Sequence, residues 1–154
     1  MKTMKTHHHI HCLLRTLLLG LLLSTAPQVI AHGKIEIGPN QGRLMSFGDA
    51  QPLHAEFVLD GGNFIVSLYD EAAKKAVAVS TETLVVTHKE SGKKITPELK
   101  DGKWIVAKPE GEDFWFILQL QTAGGRKNSV ARLHFQSSKC GSCDKAEWLC
   151  QCSE

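Results

Sequence analysis

Four of the chain's five cysteines fall within thirteen residues, in the stretch KCGSCDKAEWLCQC. Cys140 and Cys143 form a CxxC pair; after six residues, Cys150 and Cys152 form a CxC pair. The small Gly141 and Ser142 allow backbone amides to turn toward the sulfurs, as in half of a zinc knuckle. Four thiolates from two short elements match tetrahedral zinc, and soft sulfur donors also suit Cu(I). The competing chemistry is a pair of disulfides, which an oxidising compartment favours. Four cysteines allow three pairings, and a bridge within CxC would be strained, so cross-pairing such as 140–150 with 143–152 is expected. A thioredoxin-like redox role has less to rest on, because no βαβ pattern surrounds CGSC.

A second set of donors is nitrogen-based. If the chain is cleaved after Ala31, His32 presents a free amine and an imidazole on one residue, a bidentate donor pair suited to copper or zinc. His54, His88 and His134 are the candidates for a further histidine ligand. His54 has Glu56 two residues on, so one strand face carries a nitrogen and an oxygen donor side by side. Histidine in third position would strengthen the copper reading, and HGK lacks it. An N-terminal-histidine copper enzyme is therefore the minor possibility.

The compartment decides between thiolates and disulfides, and the first thirty-one residues address it. Lys2, Lys5 and Arg15 precede a leucine-rich run from Leu17 to Leu23, and Val29 and Ala31 stand where a signal peptidase reads small residues. The apolar run is shorter than the roughly 20 residues a bilayer span needs. Residues 1–31 thus read as a cleaved secretory signal and the protein as periplasmic or secreted. Cys12 lies upstream of the apolar run, not at the cleavage point, which disfavours a lipid anchor. Removing this segment takes three bases and no acids from totals of 18 and 16, leaving a nearly neutral mature chain. That balance excludes an electrostatic case for nucleic acid, and no later apolar run is long enough to span a membrane.

The elements that must position these residues read as strands. From 34 to 137 apolar and polar residues alternate, with strands near 34–37, 43–47, 54–60, 64–70, 76–80, 83–89, 103–108, 114–122 and 130–136. Asp60-Gly61-Gly62-Asn63, Ser91-Gly92, Asp101-Gly102, Pro109 to Asp113 and Gly124-Gly125 supply the breaks. Alternation puts Phe114, Phe116, Leu118 and Leu120 on a core face, with Gln119 and Gln121 opposite. The fold class is all-β: a small antiparallel β-sandwich, Ig-like or related, over residues 32–137, with a short cysteine-rich appendage over 138–154. The alternation is complete before Cys140, so the sandwich is expected to fold without the tail. Trp104, Trp115 and Trp148 read as core or rim residues rather than a ligand platform. No GxSxG, HExxH or Walker loop supports a hydrolase.

The stretch IGPNQGRLMSFGDAQPLHAEFVLDGGNFIVSLYDEAAKKAVAV, together with KCGSCDKAEWLCQC, resembles a group of small secreted bacterial β-sandwich proteins encoded near heavy-metal efflux systems. That group shows a GPNGGR-like opening, an AEF strand and a cysteine-rich end. Here NQG (Asn40, Gln41, Gly42) replaces the expected glycine doublet. The resemblance implies a periplasmic β-sandwich that handles metal, with a cell-envelope efflux component as partner. The sequence therefore points to a copper- or zinc-binding accessory protein, not an enzyme, with Cys140, Cys143, Cys150, Cys152, His32, His54 and Glu56 as candidate ligands. The alternative is a disulfide-stapled interaction module of the cell envelope without metal.

Overall fold

Strict alternation in DFWFILQLQ leaves every second side chain without water once the strand is paired, and this pattern organises the molecule. The computed structural model describes residues 35–48, 53–122 and 128–152. Residues 1–31 (read in sequence as a leader), His32 and Gly124-Gly125 lie outside the described residues. Among the described residues eleven strands are formed: β1 (Glu36–Ile37), β2 (Arg43–Phe47), β3 (Leu53–Asp60), β4 (Asn63–Tyr69), β5 (Ala76–Val77), β6 (Thr83–His88), β7 (Lys94–Ile95), β8 (Glu98–Lys100), β9 (Lys103–Ala107), β10 (Asp113–Gln121) and β11 (Asn128–Gln136). The single helical element described is a 3-10 turn, Glu147–Leu149.

The strands make two antiparallel sheets. One runs β1-β2-β3-β4-β9-β8, with β5 also paired to β4; the other runs β11-β10-β6-β7. β9 and β5 share one edge of β4, β9 along Asn63 to Val66 and β5 along Leu68 and Tyr69. Two tight turns set the register. Gly61 and Gly62 (φ 54° and 84°) join β3 to β4, and Asp101 and Gly102 (φ 51° and 73°) join β8 to β9. Positive φ at both central residues gives a turn whose twist matches the strands it joins.

The two sheets pack on each other through the faces that alternation assigns. Phe57, Phe64, Val66, Leu68, Trp104 and Val106 come from the first sheet, and Leu84, Val86, Phe114, Phe116, Leu118, Leu120, Leu133 and Phe135 from the second; all are buried. Phe64 sits at the centre of an edge-to-face aromatic group with Phe57, Phe116, Phe135 and Trp148, at centroid distances of 5.5 to 6.5 Å. Burying rings of this size stabilises the fold by roughly 2 to 3 kcal/mol each before entropy is subtracted.

Two features add to the expected fold. First, the core does not end at residue 137. Trp148 is 5% exposed and belongs to the core cluster, with Ala146 and Leu149 packed against it. The cysteine-rich appendage is present at the C-terminal end, and its Trp148 is seated in the core of the sandwich. An apolar ring between two cysteine pairs has no better place to go than the open end of an aromatic core.

Second, β3 is buried on both faces: Ala55 and Phe57 toward the core, His54 and Glu56 away from it. The loop from Gly38 to Gly42 folds over that outer face. Glu56 is fully buried, and its Oε1 accepts from the backbone N–H groups of Asn40 (2.7 Å) and Gly42 (3.0 Å). The Asn40 side-chain amide donates to Oε2 at 2.8 Å and to the Tyr69 hydroxyl at 2.6 Å. A buried carboxylate is tolerable only with such partners. Burial, together with the neighbouring Glu56, pushes the Tyr69 phenol above its ordinary pKa. The loop lies so close that a Cβ at Gly38 would be 2.5 Å from the Glu56 carboxyl carbon, and one at Gly42 would be 2.4 Å from the Phe57 carbonyl.

Candidate metal centre

Short backbone bonds fold the cysteine segment into two small loops. Lys139 and Ala146 form an isolated antiparallel bridge, the Cys140 N–H donates to the Lys145 carbonyl at 2.8 Å, and the Lys145 N–H donates to the Cys143 carbonyl at 2.7 Å. Asp144 takes the left-handed conformation (φ 55°) that closes this loop. The 3-10 turn follows, tied back to the end of the sandwich by a bond from the Glu147 N–H to the Ser138 carbonyl at 2.8 Å. Seating Trp148 in the core therefore swings Cys150 and Cys152 back over the first loop.

The result is a single sulfur cluster. The Sγ atoms of Cys140, Cys143, Cys150 and Cys152 all lie within 4.8 Å of one another. Cys150 Sγ is 3.0 Å from Cys140 Sγ and 3.6 Å from Cys143 Sγ. Tetrahedral zinc with Zn–S bonds of about 2.3 Å holds its sulfurs roughly 3.8 Å apart, inside the 4.8 Å that spans the cluster, and the two shortest separations would open slightly to take the ion. All four are free cysteines here. Cys140 and Cys150 are the buried pair, while Cys143 is half-buried and Cys152 exposed, which leaves one side of the cluster open to solvent.

The backbone prepares the cluster for negative charge. The Ser142 N–H donates to Cys140 Sγ and the Cys152 N–H to Cys150 Sγ, both at 3.4 Å, each amide reaching back two residues. Such donors favour thiolate over thiol. The Cys150 thiol, followed by the Ser142 amide, lowers the Cys140 pKa to about 7. Cys150 is pushed up to about 12, chiefly by its bond to Cys140, and Cys152 is raised mainly by Cys143. Cys140 is thus poised to ionise before Cys150 and Cys152, which hold protons that a cation would displace.

The oxygen and nitrogen candidates are placed differently. Among the described residues, the group with donor atoms gathered within 4.8 Å consists of the four cysteines alone. His54 spends both ring nitrogens inside the protein: Nε2 donates to the Glu71 carbonyl at 3.0 Å and Nδ1 accepts from the Ser46 hydroxyl at 3.1 Å. Glu56 is held by the Gly38–Gly42 loop as described. Both residues, read in sequence as side-by-side ligands, are thus engaged in fixing the loops that cover β3. His134 lies on the outer face of the second sheet, bonded to Asp113 at 2.7 Å, while His88, opposite Phe116 at the end of β6 and 5.7 Å from the Phe114 ring, bonds to Ser91 at 2.7 Å. His134 also stacks flat on Trp115 at 4.2 Å, with the Lys89 ammonium 5.2 Å from the same indole centroid.

Two residues with no cysteine or histidine chemistry hold the cluster to the sheet edge. The Gln151 amide donates to the Ile35 carbonyl at 3.1 Å, and Arg43 Nη1 to the Trp148 carbonyl at 3.5 Å. Neither was marked by any spacing rule, because both act across the fold. Comparison of the chain with family models, with curated proteins and with solved structures returned no match.

Proposed function

We propose that the protein is a secreted or periplasmic metal-binding accessory protein that carries Zn²⁺ or Cu(I) on Cys140, Cys143, Cys150 and Cys152. The observation that carries this reading is the convergence of four sulfurs within 4.8 Å, brought together from two loops on either side of a core tryptophan. Amide donors on two of the sulfurs supply the electrostatic setting that a thiolate centre requires. The solvent-facing Cys143 and Cys152 give an incoming ligand a place to attack, which suits handing the ion on better than locking it away. The leader-like first thirty-one residues support export. The resemblance to proteins encoded near heavy-metal efflux systems supports a cell-envelope efflux component as the recipient.

A second reading has one specific observation in its favour. The closest sulfurs are those of Cys140 and Cys150, the pair that cross-linking would join first. Native mass spectrometry of reduced protein titrated under argon with Zn²⁺ and with Cu(I) separates the two. Stoichiometric uptake that each single Cys→Ser change largely abolishes supports the metal centre. Protein that ignores both ions when fully reduced, and loses about four hydrogens on isolation in air, is instead the stapled module.

A further inference from the structure

The guanidinium of Arg43 has no obvious reason to be where it is. Arg43 opens β2, opposite Ile37 on one side and Phe57 on the other. Its side chain is half-buried and reaches the cysteine segment, where Nη1 meets the Trp148 carbonyl at 3.5 Å. Its Nε is buried with no hydrogen-bond partner. Among the described residues, the ion pairs are His88 with Glu90 and His134 with Asp113; none involves Arg43. Burial pulls its pKa below the ordinary arginine value, and the field of Glu36 only partly opposes this. A cation in this position costs stability unless an anion compensates it.

We infer that Arg43 is the counter-charge of the metal centre, held against the loop between the two cysteine pairs to balance the anionic metal–thiolate cluster. This rests on the proposed metal role of the four cysteines. Four thiolates around one Zn²⁺ carry a net charge of −2, and around one Cu(I) a net charge of −3. Lys139 and Lys145 flank the first pair in sequence, but both are exposed and their fields are screened by solvent. Arg43 is the cation on this side with its charge partly withdrawn from water, where a charge acts more strongly. In the metal-free protein Arg43 has no acidic partner among the described residues. Loading the ion creates that partner, so part of the binding free energy comes from Arg43.

The positive charge of Arg43 sets the test. Reduced wild type, Arg43→Met and Arg43→Lys are titrated with Zn²⁺ against a chromophoric chelator, and with Cu(I) in parallel under argon. Thermal midpoints are recorded with and without the ion. Loss of a residue that supports ligands from outside the coordination sphere typically costs about 10- to 100-fold in affinity, and that is the weakening expected for Arg43→Met. Arg43→Lys keeps the charge and should bind within a few-fold of wild type. The midpoint of the loaded Met variant should fall, while that of the metal-free form should stay level or rise, because an uncompensated cation has been removed. A Met variant that binds as tightly as wild type overturns the inference. Equal losses of midpoint with and without metal, or failure to fold where wild type folds, show a packing role and overturn it as well. Wild type that takes up neither ion overturns the reading of the cysteines themselves, a distinct outcome.

Discussion

Replacing Trp148 by alanine tests whether the cysteine segment is part of the core. The indole is 5% exposed and packs on Phe64 at 5.7 Å and Phe135 at 5.4 Å. Truncating a buried aromatic costs about 3 to 5 kcal/mol, from lost transfer free energy and from the cavity left behind. Here the upper half of that range applies, because rings from both sheets line the site and neither sheet can collapse into it without breaking its ladder. For a domain of this size the loss corresponds to a drop of roughly 10 to 20 °C in thermal midpoint. It is a large share of the 5 to 15 kcal/mol that about describes ordinary domain stability. Urea unfolding followed by circular dichroism, with reduced protein and no added metal, isolates the packing contribution from any ligand effect. Trp115→Ala is the internal control. That ring lies on the outer face of the second sheet against His134 and Lys89, so its loss should cost only about 1 kcal/mol. If Trp148→Ala unfolds within 1 kcal/mol of wild type, the tryptophan is not a core residue and the sandwich closes without the tail.

Two other changes probe the loops and the protons. Gly42→Ala puts a methyl group against the Phe57 carbonyl, a backbone atom that cannot swing away, and should destabilise by about 1 to 3 kcal/mol in the same assay; Gly141→Ala, which meets nothing within 4 Å, should be nearly neutral. Metal affinity should fall as pH drops: Cys150, near 12, and Cys152, also raised, hold their protons at neutral pH and must release them to bind, so these two alone give about a hundredfold loss per pH unit. Calorimetric titration with Zn²⁺ in two buffers of different ionisation enthalpy counts the protons, and binding without proton release contradicts the thiol assignment.

The parts of the fold legible in the sequence are those governed by local alternation. β10 reads directly from DFWFILQLQ because each residue's side depends only on its neighbours, and the Gly61-Gly62 and Asp101-Gly102 turns announce themselves by conformational need. β7 and β8 leave no such trace: Lys94–Ile95 is too short to alternate, and Glu98–Lys100 is exposed at all three positions at the sheet edge. The burial of Glu56 is equally silent, since it depends on a loop some fifteen residues earlier that folds back over it, and His54 is held by the Glu71 carbonyl from beyond the next strand. The sulfur cluster was visible as spacing because its ligands are near in sequence. Its attachment to Arg43 and Ile35, more than a hundred residues away, was not.

The seat of Trp148 also orders events in time. Every strand precedes it in the chain, so a polypeptide emerging amino end first, from a ribosome or an export pore, carries an unfinished sandwich with the ring of Phe64 exposed on one side. Closure waits for the segment that brings the cysteines. The thiols therefore emerge just as the core is completed, and ion capture, aromatic docking and oxidation compete within one interval. Conditions met while the chain emerges, more than those met by the finished protein, then decide which form of the cysteine segment is made.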